Sequence, residues 1–493
     1  MINDPKIKKK NLWFYPLGTV GRDMLYNLFT NFILLYILYT KGLTDAQLAA
    51  VTAIMVGARV FDALNDPIMG NIIERTRTKW GKFKPWLVAG ILSTCVVVYL
   101  AFNTDLTGWN FVIFFGVIYF MYSITYTMND ISYWGMIPAL STDGADRDLF
   151  TSRATLFAGI GGTLAGLLIP IFTTGANAIG GSANIAYGRI ALIICVLAPA
   201  FMLFTLFGVR ERREAKGTPV PPVSFKKIVS TIFGNDQLKW MFIIFLCQQL
   251  GGSLVQGGLG SSFVYFRYGY EGGLYSLFST VGVAATAFLM IFYPVISKKF
   301  PRKKLLGILL VVAIAGYALQ ILAGTVLPAD MFGFWVLTAG YMFANLGQYG
   351  FYLVMMISII NTVEYNELKT GMRDEAIITS MRPFITKLGS ALVVACTSLT
   401  YLIFRVTDYT NQISALESQV QQGVLTEADK ITKIAGVIAE VQPGQQLGLL
   451  LAMTLIPFVF TALAYILYKR FYKLDEERYA EICAELEEKR GKA

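Results

Sequence analysis

Twelve stretches of the chain are long enough and apolar enough to cross a bilayer, and nothing else in the sequence constrains the fold as strongly. They fall near residues 20–40, 46–74, 85–103, 109–138, 150–174, 186–208, 237–267, 274–297, 304–324, 331–362, 376–405 and 447–470. About 20 residues of helix span the hydrocarbon core. Every backbone polar group there must be satisfied within its own segment, so each stretch is expected to be a helix. Composition agrees: 15% of the 493 residues are charged, against about 25% in soluble domains. The expected fold is an all-α integral membrane protein with twelve transmembrane helices in two six-helix halves.

The polar segments divide the chain into a first half at 1–208, a central loop at 209–236, a second half at 237–472 and a tail at 473–493. The central loop holds three prolines, and the second half carries an insertion at 406–446. In that insertion Thr426 and Asp429 form a helix-start signature. Ile431, Ile434, Ile438 and Val441 follow at helical spacing, which predicts an amphipathic helix or helical hairpin. The loops GNIIERTRTKWGKFKP and VISKKFPRKKLLG hold the same ordinal place in their halves. They read either as traces of an internal repeat or simply as basic loops.

Lysine and arginine gather on alternate loops, at Lys6 to Lys10, Arg75 to Lys84, Arg210 to Lys227 and Lys298 to Lys304. By the positive-inside rule both termini are expected in the cytoplasm of a bacterial cell, with the protein in its inner membrane. The net charge of +10 is then a topology signal and predicts no nucleic-acid partner. No histidine occurs, and the five cysteines are scattered singly. Catalytic triads, Cys-His pairs and His-rich zinc sites are excluded, and neither an enzyme nor a resident cofactor is expected.

An ionisable side chain in a membrane helix costs about 2.5–3.5 kcal/mol on insertion scales. The first half nevertheless carries Arg22, Asp23, Arg59, Asp62, Asp66, Asp130 and Arg153. Asp62 and Asp66 stand four apart on one helix face, with Asn65 beside them. Two carboxylates with neutral oxygens suit a monovalent cation or a shared proton. The bland reading makes the arginines structural counter-ions. Tyr126, Asp130 and Trp134 also stand four apart. A carboxylate between two aromatics suits a sugar, whose ring stacks while its hydroxyls donate to the acid, or it reflects core packing. The glycine-rich stretches 159–166 and 251–260 are expected to let helices approach closely.

The segments RVFDALNDPIMGNIIERTRTKWGKFKPW (59–86), YTMNDISYWGMIPAL (126–140) and NTVEYNELKTGMRDEAIITS (361–380) resemble signatures of the glycoside-pentoside-hexuronide:cation symporters. That family, which includes the melibiose carrier, has the major facilitator fold. The resemblance implies a sodium- or proton-coupled sugar symporter working as a monomer by alternating access. It implies a cation site at Asp62, Asn65, Asp66 and Thr127. It also implies a sugar site at Arg22, Asp23, Tyr126, Asp130, Trp134 and Arg153, completed by Tyr352, Arg382 and Lys387. Tyr352 stands where galactoside members carry tryptophan, and Arg382 where they carry an uncharged amide, which leaves room for an acidic sugar. A lipid-like cargo or a non-transporting sugar sensor are the alternative readings.

Overall fold

The computed structural model describes residues 5–141, 143–210, 225–372 and 374–491. Half of the central loop, residues 211–224 with Arg212, Arg213 and Lys216, lies outside the described residues. The first six long helices are α1 (Pro5–Thr40), α2 (Asp45–Arg75), α3 (Lys84–Phe102), α4 (Gly108–Gly135), α5 (Gly144–Thr173) and α6 (Ala183–Gly208). Then come α7 (Asp236–Tyr268), α8 (Gly272–Lys299), α9 (Arg302–Thr325), α10 (Met331–Thr370) and α11 (Glu375–Ile403). Two short helices, α12 (Thr407–Gln421) and α13 (Glu427–Ala439), precede the last long one, α14 (Pro443–Phe471), and a tail helix, α15 (Glu476–Gly491).

Ten of these helices meet both the length and the apolar composition of a membrane span. The two others, α1 and α2, are 36 and 31 residues long but carry the ionisable set around Arg22 and Asp62. Together they make the twelve spans expected from the sequence. Large apolar side chains such as Phe207, Ile113, Val196 and Ile291 are exposed along the helices, a surface suited to lipid rather than water.

Local chemistry sets the helix ends. Thr44 and Gln47 form a reciprocal capping box at the start of α2. Asp330 caps α10 by accepting the Gly333 amide at 2.9 Å, and Gly371, at φ 73°, ends it. Inside α7 the chain breaks regular winding over Val255–Leu259, with Gly258 at φ 122°. The Gly258 carbonyl is recovered by the Ser261 hydroxyl at 2.8 Å and the Tyr401 hydroxyl at 3.1 Å. A break of this kind survives in a membrane only with such replacements. The glycine stretches divide by position. A side chain at Gly161 would meet the Val20 carbonyl of α1, and one at Gly251 the Thr461 and Gln348 side chains. Gly159 and Gly166 have open space around them.

The chain forms two compact units. One comprises Met1–Pro222 with Gly269–Ser276 and Arg405–Val441; the other comprises Val223–Tyr268, Leu277–Phe404 and Gln442–Ala493. The α12–α13 hairpin, inserted between α11 and α14, thus packs with the first unit. Its helices are the expected amphipathic pair, with Thr426 accepting the Asp429 amide and Ile434 buried. Asn411 donates to the Leu43 carbonyl at 2.9 Å, and Thr407 pairs with Asp45 at 3.1 Å. At the centre lies a buried ion pair, Lys430 with Glu417 at 3.2 Å, 1% and 0% exposed. Lys430 also donates to the Gly181 carbonyl at 2.6 Å, and the Ala183 amide donates to Glu417 at 2.8 Å. Burial pushes the Glu417 carboxyl above its ordinary range, and Lys430 and the Ala183 amide offset this only in part.

In the second unit, α15 buries Ile482 and Leu486, and Glu476 accepts from the backbone and guanidinium of Arg302 at 2.8 and 2.9 Å.

The hairpin pair yields a prediction. Lys430→Met strands a buried carboxylate and should lower stability by about 3–5 kcal/mol, whereas adding Glu417→Gln should recover most of that loss. An acid with a raised folded-state pKa takes up its proton more readily folded than unfolded, so falling pH favours the folded form. The Lys430→Met penalty should therefore shrink between pH 8 and pH 5. Thermal unfolding of the purified single and double variants checks both points.

Candidate functional site

Six of the seven ionisable residues singled out in the first half form two clusters, and α4 contributes to both. In the first cluster, the two α2 carboxylates meet two α4 hydroxyls. Ser123 donates to Asp62 Oδ1, and Thr127 donates to Asp66 Oδ1 at 3.2 Å. Both pairs stand four residues apart on their own helix, so the contacts form two successive rungs. Arg59 Nη1 lies 3.6 Å from Asp62 Oδ2, and its guanidinium lies 6.0 Å from the Tyr119 ring centre. Arg59, Asp62, Asn65, Ser123 and Thr127 are all buried, and the Asn65 amide nitrogen has no hydrogen-bond partner. These are hard oxygen donors around a partly neutralised pair of carboxylates, a set that fits a small monovalent cation. Among the described residues no group of three or more His, Cys, Asp or Glu comes together to hold a metal ion.

The second cluster is centred on Arg22, whose side chain is 2% exposed. Its Nε and Nη2 donate to Asp23 Oδ2 at 3.2 and 3.0 Å, and Nη1 donates to Asp130 Oδ1 at 3.2 Å. The guanidinium also lies 4.6 Å from the Tyr133 ring centre and 5.4 Å from that of Trp134. Tyr133 is fixed in turn by Tyr15. The rings stack at 4.5 Å, and each hydroxyl donates to the other residue's carbonyl, at 2.7 and 2.8 Å. Asp130 is 41% exposed, so its carboxylate can meet a ligand as well as Arg22. Below it on α4, the Tyr126 ring packs on Tyr26 at 5.1 Å and on Tyr122 at 5.5 Å. An accessible carboxylate beside a fixed guanidinium and aromatic faces can accept hydroxyls and stack on the apolar face of a polyol.

Arg153 stands apart from this cluster, donating to the Leu12 carbonyl at 3.3 Å with its guanidinium over the Trp13 ring. In the second unit, Arg382 is exposed and donates to the Tyr352 hydroxyl at 2.6 Å. Tyr352 packs in turn on Tyr349 at 5.6 Å and on Phe245 at 5.9 Å. Lys387 is half-buried five residues further along α11.

Sequence reasoning missed Ser123, although its place four residues before Thr127 is the signal that could have found it. It also missed Tyr15 and Tyr133, which set the Arg22 platform but have no polar pattern to mark them.

The model of a family described as MFS/sugar transport protein matches residues 14–476. A lactose permease of Lactobacillus helveticus is 26% identical over 514 residues, covering 99% of this chain and 74% of the permease. A raffinose carrier protein of Pediococcus pentosaceus is 29% identical, covering 96% of this chain and 70% of the carrier. Among solved structures, a bacterial homolog of the human lysosomal transporter Spinster, in an inward-facing, unoccupied conformation, superimposes with a TM-score of 0.62. It is 14% identical and covers 95% of this chain and 98% of its own, a likeness of fold.

The Arg22 cluster generates a prediction independent of any ligand. Arg22→Gln removes the counter-ion that Asp23 and Asp130 share. Stability should fall by about 1.5–3 kcal/mol, the scale of a hydrogen bond to a charged group. Arg22→Lys, which keeps the charge but not the fork, should lose less. Thermal unfolding in detergent at neutral pH measures both.

Proposed function

The chain belongs to the MFS/sugar transport protein family, and from that premise we propose that it is a cation-coupled symporter of a sugar or glycoside. It is a multi-pass membrane transport protein and not an enzyme. The relatives named as lactose permease and raffinose carrier support a sugar as cargo. The alternating basic loops support a bacterial inner-membrane orientation with cytoplasmic termini.

One observation carries the coupling: α4 holds Ser123 and Thr127 against the α2 carboxylates and Asp130 against Arg22 of α1. In this reading sodium or a proton occupies Asp62, Asn65, Asp66 and Thr127. The bound cation screens two neighbouring carboxylates and draws α4 to α2. Because α4 is one rigid helix, that also sets the position of Tyr126, Asp130 and Trp134. Asp23 and Asp130 accept hydroxyls of the sugar, and Trp134 offers a ring face to its apolar side. Tyr352 and Arg382 form a pair of their own in the second unit, and Arg153, held by the Leu12 carbonyl and the Trp13 ring, is left out of the set. Binding of each cargo tightens the other by one shared factor, and the two halves alternate access as a monomer. An accessible carboxylate, Asp130, beside an indole suits a polyol better than a lipid-like cargo, and a gradient-driven uptake assay separates transport from sensing.

Two experiments test this reading. In vesicles, Asp66→Ala should abolish uphill sugar accumulation driven by a sodium or proton gradient; full accumulation would remove the cation site. In purified protein, Asp130→Ala should weaken sugar binding at saturating cation about tenfold or more; unchanged affinity by calorimetry would make Asp130 a structural counter-ion.

The charge of the sugar is tested at Arg382. If Arg382 meets the cargo, its bidentate guanidinium favours a carboxylate, and in competition between a neutral glycoside and its matching glucuronide the wild type then prefers the glucuronide. That preference should vanish in Arg382→Gln; equal ranking in both proteins identifies a neutral cargo.

A further inference from the structure

We infer that Ser123 is a fifth ligand of the transported cation and sets the site's preference for sodium over lithium; the inference rests on the cation site at Asp62 and Asp66 proposed above. Buried hydroxyls in membrane helices commonly donate to a carbonyl of the preceding turn. Thr40, Thr173, Thr338 and Ser358 all do so, to Tyr36, Ile169, Phe334 and Val354. Ser123 and Thr127 on α4 donate across to α2 instead, each to its own carboxylate. Ser123 is 4% exposed, so its hydroxyl is committed to this contact in a dry setting.

The two oxygens of Asp62 are divided between neighbours. Arg59 approaches Oδ2, and Ser123 meets Oδ1. A hydroxyl that donates its proton to a carboxylate keeps two lone pairs on its oxygen, so Ser123 can bind a cation while holding Asp62 in place. Thr127 does the same one turn along. The Asn65 amide nitrogen has no partner to hold it, so the amide can turn its oxygen to an arriving cation. Two carboxylates, one amide and two hydroxyls then offer five hard oxygens. Cavity size and ligand number decide between hard cations of different radius. Five oxygens suit sodium, and the smaller lithium ion needs fewer.

Calorimetric titration of the purified full chain with sodium chloride and with lithium chloride, at constant ionic strength, reads both affinities without transport. The variants are Ser123→Ala, Ser123→Cys and Asp66→Ala. Cysteine is larger than serine and replaces a hard oxygen with soft sulfur, whereas alanine is smaller, so a loss shared by both tests ligation apart from packing. Both Ser123 variants should weaken sodium about 5–10-fold and lithium about twofold or less, moving the ratio toward lithium. Unchanged sodium affinity in both Ser123 variants, with sodium lost in Asp66→Ala, overturns the role of Ser123 and keeps the carboxylate site. Retained sodium affinity in Asp66→Ala overturns the site itself and this inference with it.

Discussion

Charge inside a membrane helix is tolerated only where another helix supplies the opposite charge or a hydrogen bond. In the first unit such contacts join helices that carry charge. Arg22 is enclosed and serves Asp23 on its own helix and Asp130 on α4. Asp62 is enclosed and takes Arg59 from its own helix and Ser123 from α4. Helix α4 is thereby tied to α1 and to α2 by separate polar contacts. Its aromatic column, Tyr122 with Tyr126, fills the space along the helix between them. The two clusters are therefore joined through one helix rather than through a chain of loops.

Much of this was legible in the sequence. The apolar windows marked every span because length and hydropathy are local properties. Even α1 and α2 were found, although their charges dilute the apolar signal, because each still runs uninterrupted for membrane length. The carboxylates at 62 and 66 were legible as a pair because helical geometry fixes what lies four residues apart. What escaped was whatever depends on a partner from another helix. Ser123 looks like any small residue of a packed span until Asp62 is opposite it. Arg153 carries a charge like Arg22, yet in the structure it meets the Leu12 carbonyl and Trp13. Nothing in the spacing along α5 distinguishes those outcomes. The structural partner of Arg382, Tyr352, comes from α10 and was equally out of reach of a single-helix argument.

The second unit solves its own polar problem differently. Where the first unit pairs charges, the second breaks a helix. The irregular turn at Val255–Leu259 releases a carbonyl that Tyr401 of α11 and Ser261 take up. Close to it, Gly251 leaves room for the Gln348 amide and the Thr461 hydroxyl. Neutral groups meeting at a helix break cost less to bury than ions, and this unit's membrane helices carry few of the latter.

The hairpin at 405–441 has a consequence for the order in which the protein is made. A ribosome delivers α1 to α6 first, and domains usually fold as they emerge. Here the Gly181 carbonyl and the Ala183 amide near the start of α6, and the Leu43 carbonyl after α1, receive their partners from Lys430, Glu417 and Asn411. Those residues arrive only after five more spans have been synthesised. The early half must therefore wait in the membrane with those polar groups met by water, and it closes only when the eleventh span is already in place. Assembly runs outward from the first unit, through most of the second, and back again.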